Sequence, residues 1–136
     1  MSDLARTALA IDRDLLERFE RWMAQHGYTN RSKAVRDLIG RALIEQEWAD
    51  PHATVVAVLS IIYDHTARSL SADLTSLQHA DHHAILCSQH VHLDHDRCLE
   101  AILMKGAAAQ LRRLADLIIA RRGVQAGQMT LMSLRP

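Results

Sequence analysis

Apolar residues recur along this chain with two different periods. Near the start, Leu9 and Ile11 fall on one face of an alternating segment, Thr7 to Ile11, with Arg6, Ala8 and Ala10 on the other. Alternation predicts a strand, but one this short needs a partner strand. The period then lengthens. Leu15, Leu16, Phe19, Trp22 and Met23 repeat at helical spacing, Asp14 with Glu17 resembles a capping box, and Gly27 suits the stop. Asn30 can cap a second helix whose stripe is Ala34, Val35, Leu38, Ile39, Ala42 and Leu43, running to about Trp48. Asp50-Pro51-His52 breaks the pattern and reads as a linker. One strand and two short helices bury little apolar surface alone. An intertwined dimer, with two strands paired and four helices closed around them, solves that problem.

Beyond the linker the pattern changes. Thr54 to Tyr63 is a Val-, Ile- and Leu-rich strand, and Leu70, Leu74 and Leu77 predict a helix ending near His79. Ala84 to Leu93 and Cys98 to Met104 read as two more strands. Gly106 then introduces a helix carrying Leu111, Leu114, Ala115, Leu117 and Ile118, which Arg121, Arg122 and Gly123 bring to a stop. Met129 to Leu134 is the last strand. The order βαββαβ is a ferredoxin-like pattern. The fold class is α+β, in two domains, residues 1–49 and 53–136.

Composition narrows the function. Aromatics are 4% of a chain that is 49% hydrophobic, so the core is mostly aliphatic. The apolar runs fall far short of the ~20 residues of a membrane helix, and the first residues have no signal-peptide core, so a cytoplasmic protein is expected. Sixteen basic residues balance sixteen acidic ones. Any contact with nucleic acid must then rest on local charge placement rather than a broad basic field. The two cysteines, Cys87 and Cys98, are expected as reduced thiols, and a thiol can bind metal.

Nine histidines are the compositional outlier, and six of them cluster from His79 to His95. In His90-Val91-His92 the two imidazoles share a strand face. After a five-residue turn Cys98 opens the next strand, and antiparallel pairing can bring its sulfur back beside them. Cys87 has the opposite parity and reads as a small core residue. The other histidines, His26, His52, His65, His82, His83 and His95, read as solvated side chains. Three ligands leave a position open for water or for a ligand from another subunit. Imidazole and thiolate suit Zn(II), Cu or Ni(II), and spacing does not choose among them.

The chain resembles the nickel-responsive repressor family over nearly its full length. The resemblance is carried by Asp14-Leu15-Leu16-Glu17, by Gly27-Tyr28-Thr29-Asn30-Arg31-Ser32-Lys33-Ala34-Val35-Arg36-Asp37, and by Leu59 to His65. Gln78-His79, His90-Val91-His92, His95-Asp96-Arg97-Cys98-Leu99-Glu100, Lys105-Gly106 and Arg122-Gly123-Val124 complete it. It implies a ribbon-helix-helix DNA-binding domain followed by an ACT-like metal-binding and tetramerisation domain. It further implies one square-planar Ni(II) per chain, held by His90, His92 and Cys98 of one subunit and His79 of its neighbour. Glu100 shares strand parity with Cys98 and is placed to orient a ligand ring.

The resemblance also implies how DNA is read. The paired strands would lie in the major groove of a double-stranded operator with two half-sites, presenting Arg6, Ala8 and Ala10 to bases. Backbone N–H groups near Arg31 and Ser32 would hold a phosphate. Two departures stand out. Ala8 and Ala10 replace the family's usual hydroxyl residues, and Lys33 replaces a glutamate that, with Asp37, helps hold a cation between the domains. The expected output is repression of nickel uptake by a homotetramer. The alternative is a ribbon-helix-helix regulator sensing Co, Cu, Zn or a small ligand. No general-base glutamate or nucleophile accompanies the ligands, so no enzyme is expected.

Overall fold

The computed structural model describes residues 4–67 and 70–134. They form helices α1 (Arg13–Gln25), α2 (Arg31–Ala49), α3 (Leu70–Ala80) and α4 (Ala108–Ile119). The strands are β1 (Thr54–Asp64), β2 (Ile85–His92), β3 (Arg97–Ala107) and β4 (Val124–Met132). The chain divides into two compact units, residues 1–40 and 41–136, so the division falls inside α2 and not at the Asp50-Pro51-His52 break.

In the first unit α1 begins two residues earlier than the Asp14–Glu17 pair predicts. Asp12 is the cap: its backbone is extended and its carboxylate accepts the Leu15 N–H at 2.9 Å. Asp14 lies in the first turn and pairs loosely with Arg18. Gly27 closes the helix at φ +73°, a left-handed conformation that a Cβ disfavours. Trp22 stacks on both His26 and Tyr28 beside that turn. Asn30 caps α2 as expected, its side chain accepting the Lys33 N–H at 3.0 Å. Residues 7–11 form no strand in the single chain. A strand exists only through its ladder, and no described segment of the same chain pairs with this one. Leu9 and Ile11 are accordingly exposed.

The second unit is the βαββαβ domain. Its antiparallel sheet has the order β2-β3-β1-β4, the ferredoxin-like arrangement. Alternate residues of the central strands point to one face: Val55, Ala57, Leu59, Ile61 and Tyr63 from β1, then Cys98, Glu100, Ile102 and Met104 from β3. Leu111, Leu114, Ala115 and Ile118 of α4, with Leu70 and Leu74 of α3, complete this core. Trp48 joins it from the end of α2, fully buried, with its indole N–H donating to the Met132 carbonyl at 3.1 Å.

Several boundaries differ from the sequence reading. Gly106 belongs to β3, and α4 starts at Ala108, because the strand extends as far as its ladder with β1 continues, to the Thr54–Ala107 pair. Helix α4 ends at Ile119, so Arg121 and Arg122 lie in the following turn rather than in the last helical turn. That turn closes at Gly123, φ +99°, where a Cβ would lie 2.7 Å from Leu70 Cδ2. Strand β4 begins at Val124, five residues before Met129. Cys87 is exposed rather than a core residue. It sits on the edge strand, where the register with β3 shifts between Ile85 and Cys87.

Candidate metal centre

Strand pairing assembles the centre. His92 lies opposite Cys98 and His90 opposite Glu100 across the β2–β3 ladder. All four side chains share the face on which the helices pack, but at the sheet edge, where both histidines remain exposed while Cys98 is buried. Cys98 Sγ is 3.2 Å from His92 Nδ1 and 3.7 Å from His90 Nε2. The two imidazoles stand edge to face, their centroids 5.0 Å apart. The predicted convergence of two imidazoles and one sulfur is therefore present within a single chain.

The turn that returns the chain from β2 to β3 is held by Asp94. Its carboxylate accepts the backbone N–H groups of Asp96 and Arg97 and takes the Arg97 guanidinium at 2.7 Å. Those hydrogen bonds, from Arg97 above all, hold the Asp94 carboxyl down at about 2. Burial pushes the Cys98 thiol up, and the Glu100 and Asp94 carboxylates add to that. A metal ion bound through this sulfur must displace a proton, since the thiolate is the ligand form.

Behind the ligands lies a buried polar chain. Glu100, only 5% exposed, accepts from Gln78 Nε2 at 2.6 Å. It also accepts from the Tyr63 hydroxyl, which burial and the adjacent carboxylate push up to about 12. The same hydroxyl lies 3.4 Å from His90 Nδ1. With its proton given to Glu100, the Tyr63 oxygen can accept from His90 Nδ1–H, which leaves Nε2 as the lone pair on the Cys98 side. The Glu100 carboxylate is thus linked to the His90 ring through Tyr63. Glu100 was already marked by its strand parity with Cys98; Tyr63 and Gln78, which it holds, are what parity alone did not identify.

His79 is exposed, next to the last residue of α3, and does not group with the sulfur-centred donors of its own chain among the described residues. A different histidine does. One donor atom each from His65, His92 and Cys98 lies within 4.8 Å of the others. His65 is half-buried rather than solvated.

The residues expected at DNA divide in two. Arg6, Ala8 and Ala10 are exposed on the segment without strand pairing. Arg31 and Ser32 are exposed in the first turn of α2, with Arg31 paired to Glu20. Lys33 Nζ lies 2.7 Å from Asp37 Oδ2, which also accepts from the Tyr28 hydroxyl at 2.9 Å. No described helix is long and apolar enough to cross a membrane.

Residues 56–132 match the profile of the NikR C terminal nickel binding domain. A protein of Solibacter usitatus named as a nickel-responsive regulator is 47% identical over 131 residues, covering 96% of this chain and 94% of its own. One from Desulfovibrio desulfuricans, with the same name, is 45% identical over the same shares. A third, from Trichlorobacter lovleyi, is 38% identical over all of this chain and 98% of its own. Domain match and full-length similarity agree with the donor set at the sheet edge, and the chain belongs to the nickel-responsive regulators, which are not enzymes.

Proposed function

We propose that this chain is a cytoplasmic, nickel-responsive DNA-binding repressor that controls nickel uptake. The observation that carries the reading is the convergence of the buried Cys98 sulfur with the His90 and His92 rings, both of which open to the outside of the chain. That donor set fits Ni(II): a thiolate and imidazoles supply the strong field a planar ion needs. His90, His92 and Cys98 would hold one ion per chain. The fourth donor is His79 of a neighbouring chain, and its exposure at the end of α3 leaves it available for that role. The ion's contribution is to tie two subunits together through their side chains.

Residues 1–49 then form the ribbon-helix-helix reader and residues 53–136 the ACT-like domain, in a homotetramer of two dimers. Arg6, Ala8 and Ala10 face the bases of the operator half-sites, and the first turn of α2 at Arg31 and Ser32 takes a phosphate. Asn30 already occupies the N–H groups of Lys33 and Ala34 through its side chain and carbonyl, so the phosphate falls to the two N–H groups before them. Nickel favours the form whose two readers engage two half-sites together. Linkage requires operator DNA to tighten nickel binding by the same factor. Lys33 pairs with Asp37; if its ammonium stands in for the cation that the family resemblance implies there, DNA binding should not need added potassium. A strict potassium requirement would sink that part of the reading.

The test is to titrate apo-protein with Ni(II) and record absorption, with Cys98→Ala as control. One nickel per chain, with thiolate charge-transfer bands and a planar d–d pattern lost in the variant, is the expected result. A tetrahedral spectrum with preference for zinc would overturn it.

A further inference from the structure

We propose that the DNA-facing strand of this chain selects its operator largely through thymine methyl groups, with Ala8 and Ala10 as the residues that recognise them. This rests on the reading of residues 1–49 as a strand-paired DNA reader, and it names what that reader recognises.

The two faces of the segment differ in chemistry. Leu9 and Ile11 share one parity, and these large apolar side chains, 65% and 41% exposed in the single chain, are the ones a paired strand turns inward. Arg6, Ala8 and Ala10 share the other parity, and all three are exposed. That outer face holds one guanidinium and two methyl groups. Arg6 makes no ion pair among the described residues, whereas Arg31 is paired with Glu20 and Lys33 with Asp37. Each strand thus offers the groove one hydrogen-bonding side chain at one end. The next two on that face neither donate nor accept.

The major groove presents one group that suits an alanine. All four bases show hydrogen-bond donors or acceptors there, and thymine alone adds a C5 methyl. A Cβ seated on that methyl gains apolar contact and has no polar atom to leave unpaired. Set against the amino group of cytosine or the donors and acceptors of a purine, the same Cβ covers a polar atom and gives it no partner, which costs affinity. Alanine therefore discriminates by packing and by exclusion together. A serine or threonine at the same position could hydrogen-bond to more than one base, so the missing hydroxyls sharpen the preference instead of only removing contacts. Arg6 supplies the complementary choice, the O6 and N7 of a guanine. Each strand of the pair should then meet one guanine with thymine-bearing base pairs beside it.

The test takes the methyl off the DNA. Operator duplexes are first selected from a random pool by the nickel-loaded, full-length protein. Replacing single thymines with deoxyuridine then deletes the C5 methyl and keeps every hydrogen-bonding group. At the thymines under Ala8 and Ala10 each replacement should weaken binding by about fourfold, the worth of one buried carbon. Elsewhere in the operator it should change little. Ala8→Gly and Ala10→Gly remove the methyl from the protein side. Any cost of glycine to the strand falls equally on thymine and deoxyuridine duplexes, so the ratio of the two affinities isolates the contact. That ratio should be about four for the unaltered chain and near one for the matching glycine variant. A ratio near one at every thymine in the unaltered chain would overturn the proposal and leave the DNA-binding reading in place. So would a fourfold effect that survives unchanged in both glycine variants. Failure to select any sequence would overturn the DNA-binding reading, and this proposal with it.

Discussion

Tyr63 is placed to tune the proposed metal site without being one of its ligands. Its hydroxyl joins the His90 ring to a carboxylate that is otherwise buried. Tyr63→Phe keeps the ring volume in the core and removes only that link, while Gln78 still satisfies Glu100. The fold should therefore persist, and nickel affinity should fall by about 10- to 100-fold, the usual cost of losing a group that orients a ligand. Competition with a chelator measures it, and an unchanged affinity would remove Tyr63 from the site. The contrast with the ligands explains what was legible beforehand. His90, His92 and Cys98 lie on neighbouring strands, where a period of two and one short turn fix their convergence. Tyr63 and His90 are 27 residues apart, Gln78 and Glu100 22, His65 and His95 30. Those meetings depend on the strand order and on where α3 and the turns pack, which no local period records. His65 was read as solvated for that reason.

Helix α2 carries the clearest lessons at the scale of elements. Its start was readable because a cap is local: Asn30 and the N–H three residues on are neighbours in sequence. Asn30→Ala should cost about 1 kcal/mol of stability, measurable as a lower thermal midpoint, with little effect on metal affinity. Its far end was not readable in the same way. The apolar stripe stops at about Trp48, and the proline that follows suggests a domain boundary there. Trp48 is instead part of the sheet core, with its N–H on the Met132 carbonyl and the Arg112 guanidinium 5.3 Å over its ring. A large amphipathic ring at a helix end looks the same in sequence whether it meets solvent or a sheet. Trp48→Ala should cost about 3–5 kcal/mol. Trp48→Phe should cost less, chiefly through the carbonyl left without its donor. Chemical denaturation of both variants checks the order, and equal, small losses would show that the ring is not a core element. The strand at residues 7–11 failed to form for a reason of the same kind: its pattern specifies a face, but only a second strand supplies the ladder.

On the scale of the whole molecule, a single chain exposes large apolar side chains in both of its units. Leu9 and Ile11 are exposed before α1, and Leu15, Leu38 and Ile39 are exposed on the two helices that follow, within the first unit. In the other unit, the sheet face away from the helices exposes Val91, Leu103 and Met132. Contiguous apolar surface, where such residues adjoin, marks association sites, and the exposed apolar residues of the first unit are those expected to close around a paired strand. If folding and association are linked, stability must depend on concentration. The thermal midpoint of metal-free protein should rise as its concentration is raised, and sedimentation should find species larger than one chain. Placing a charge in the 7–11 segment, as in Leu9→Glu, should lower the midpoint and weaken association of the N-terminal unit. That variant should also lose operator binding, because a reader made of two paired strands cannot form from one. It should still take up nickel with the thiolate signature if the metal set depends on the other unit alone. A midpoint independent of concentration, together with a monomer in sedimentation, would refute the dimeric reader. Loss of both nickel and operator binding in Leu9→Glu would mean that the two units do not fold independently.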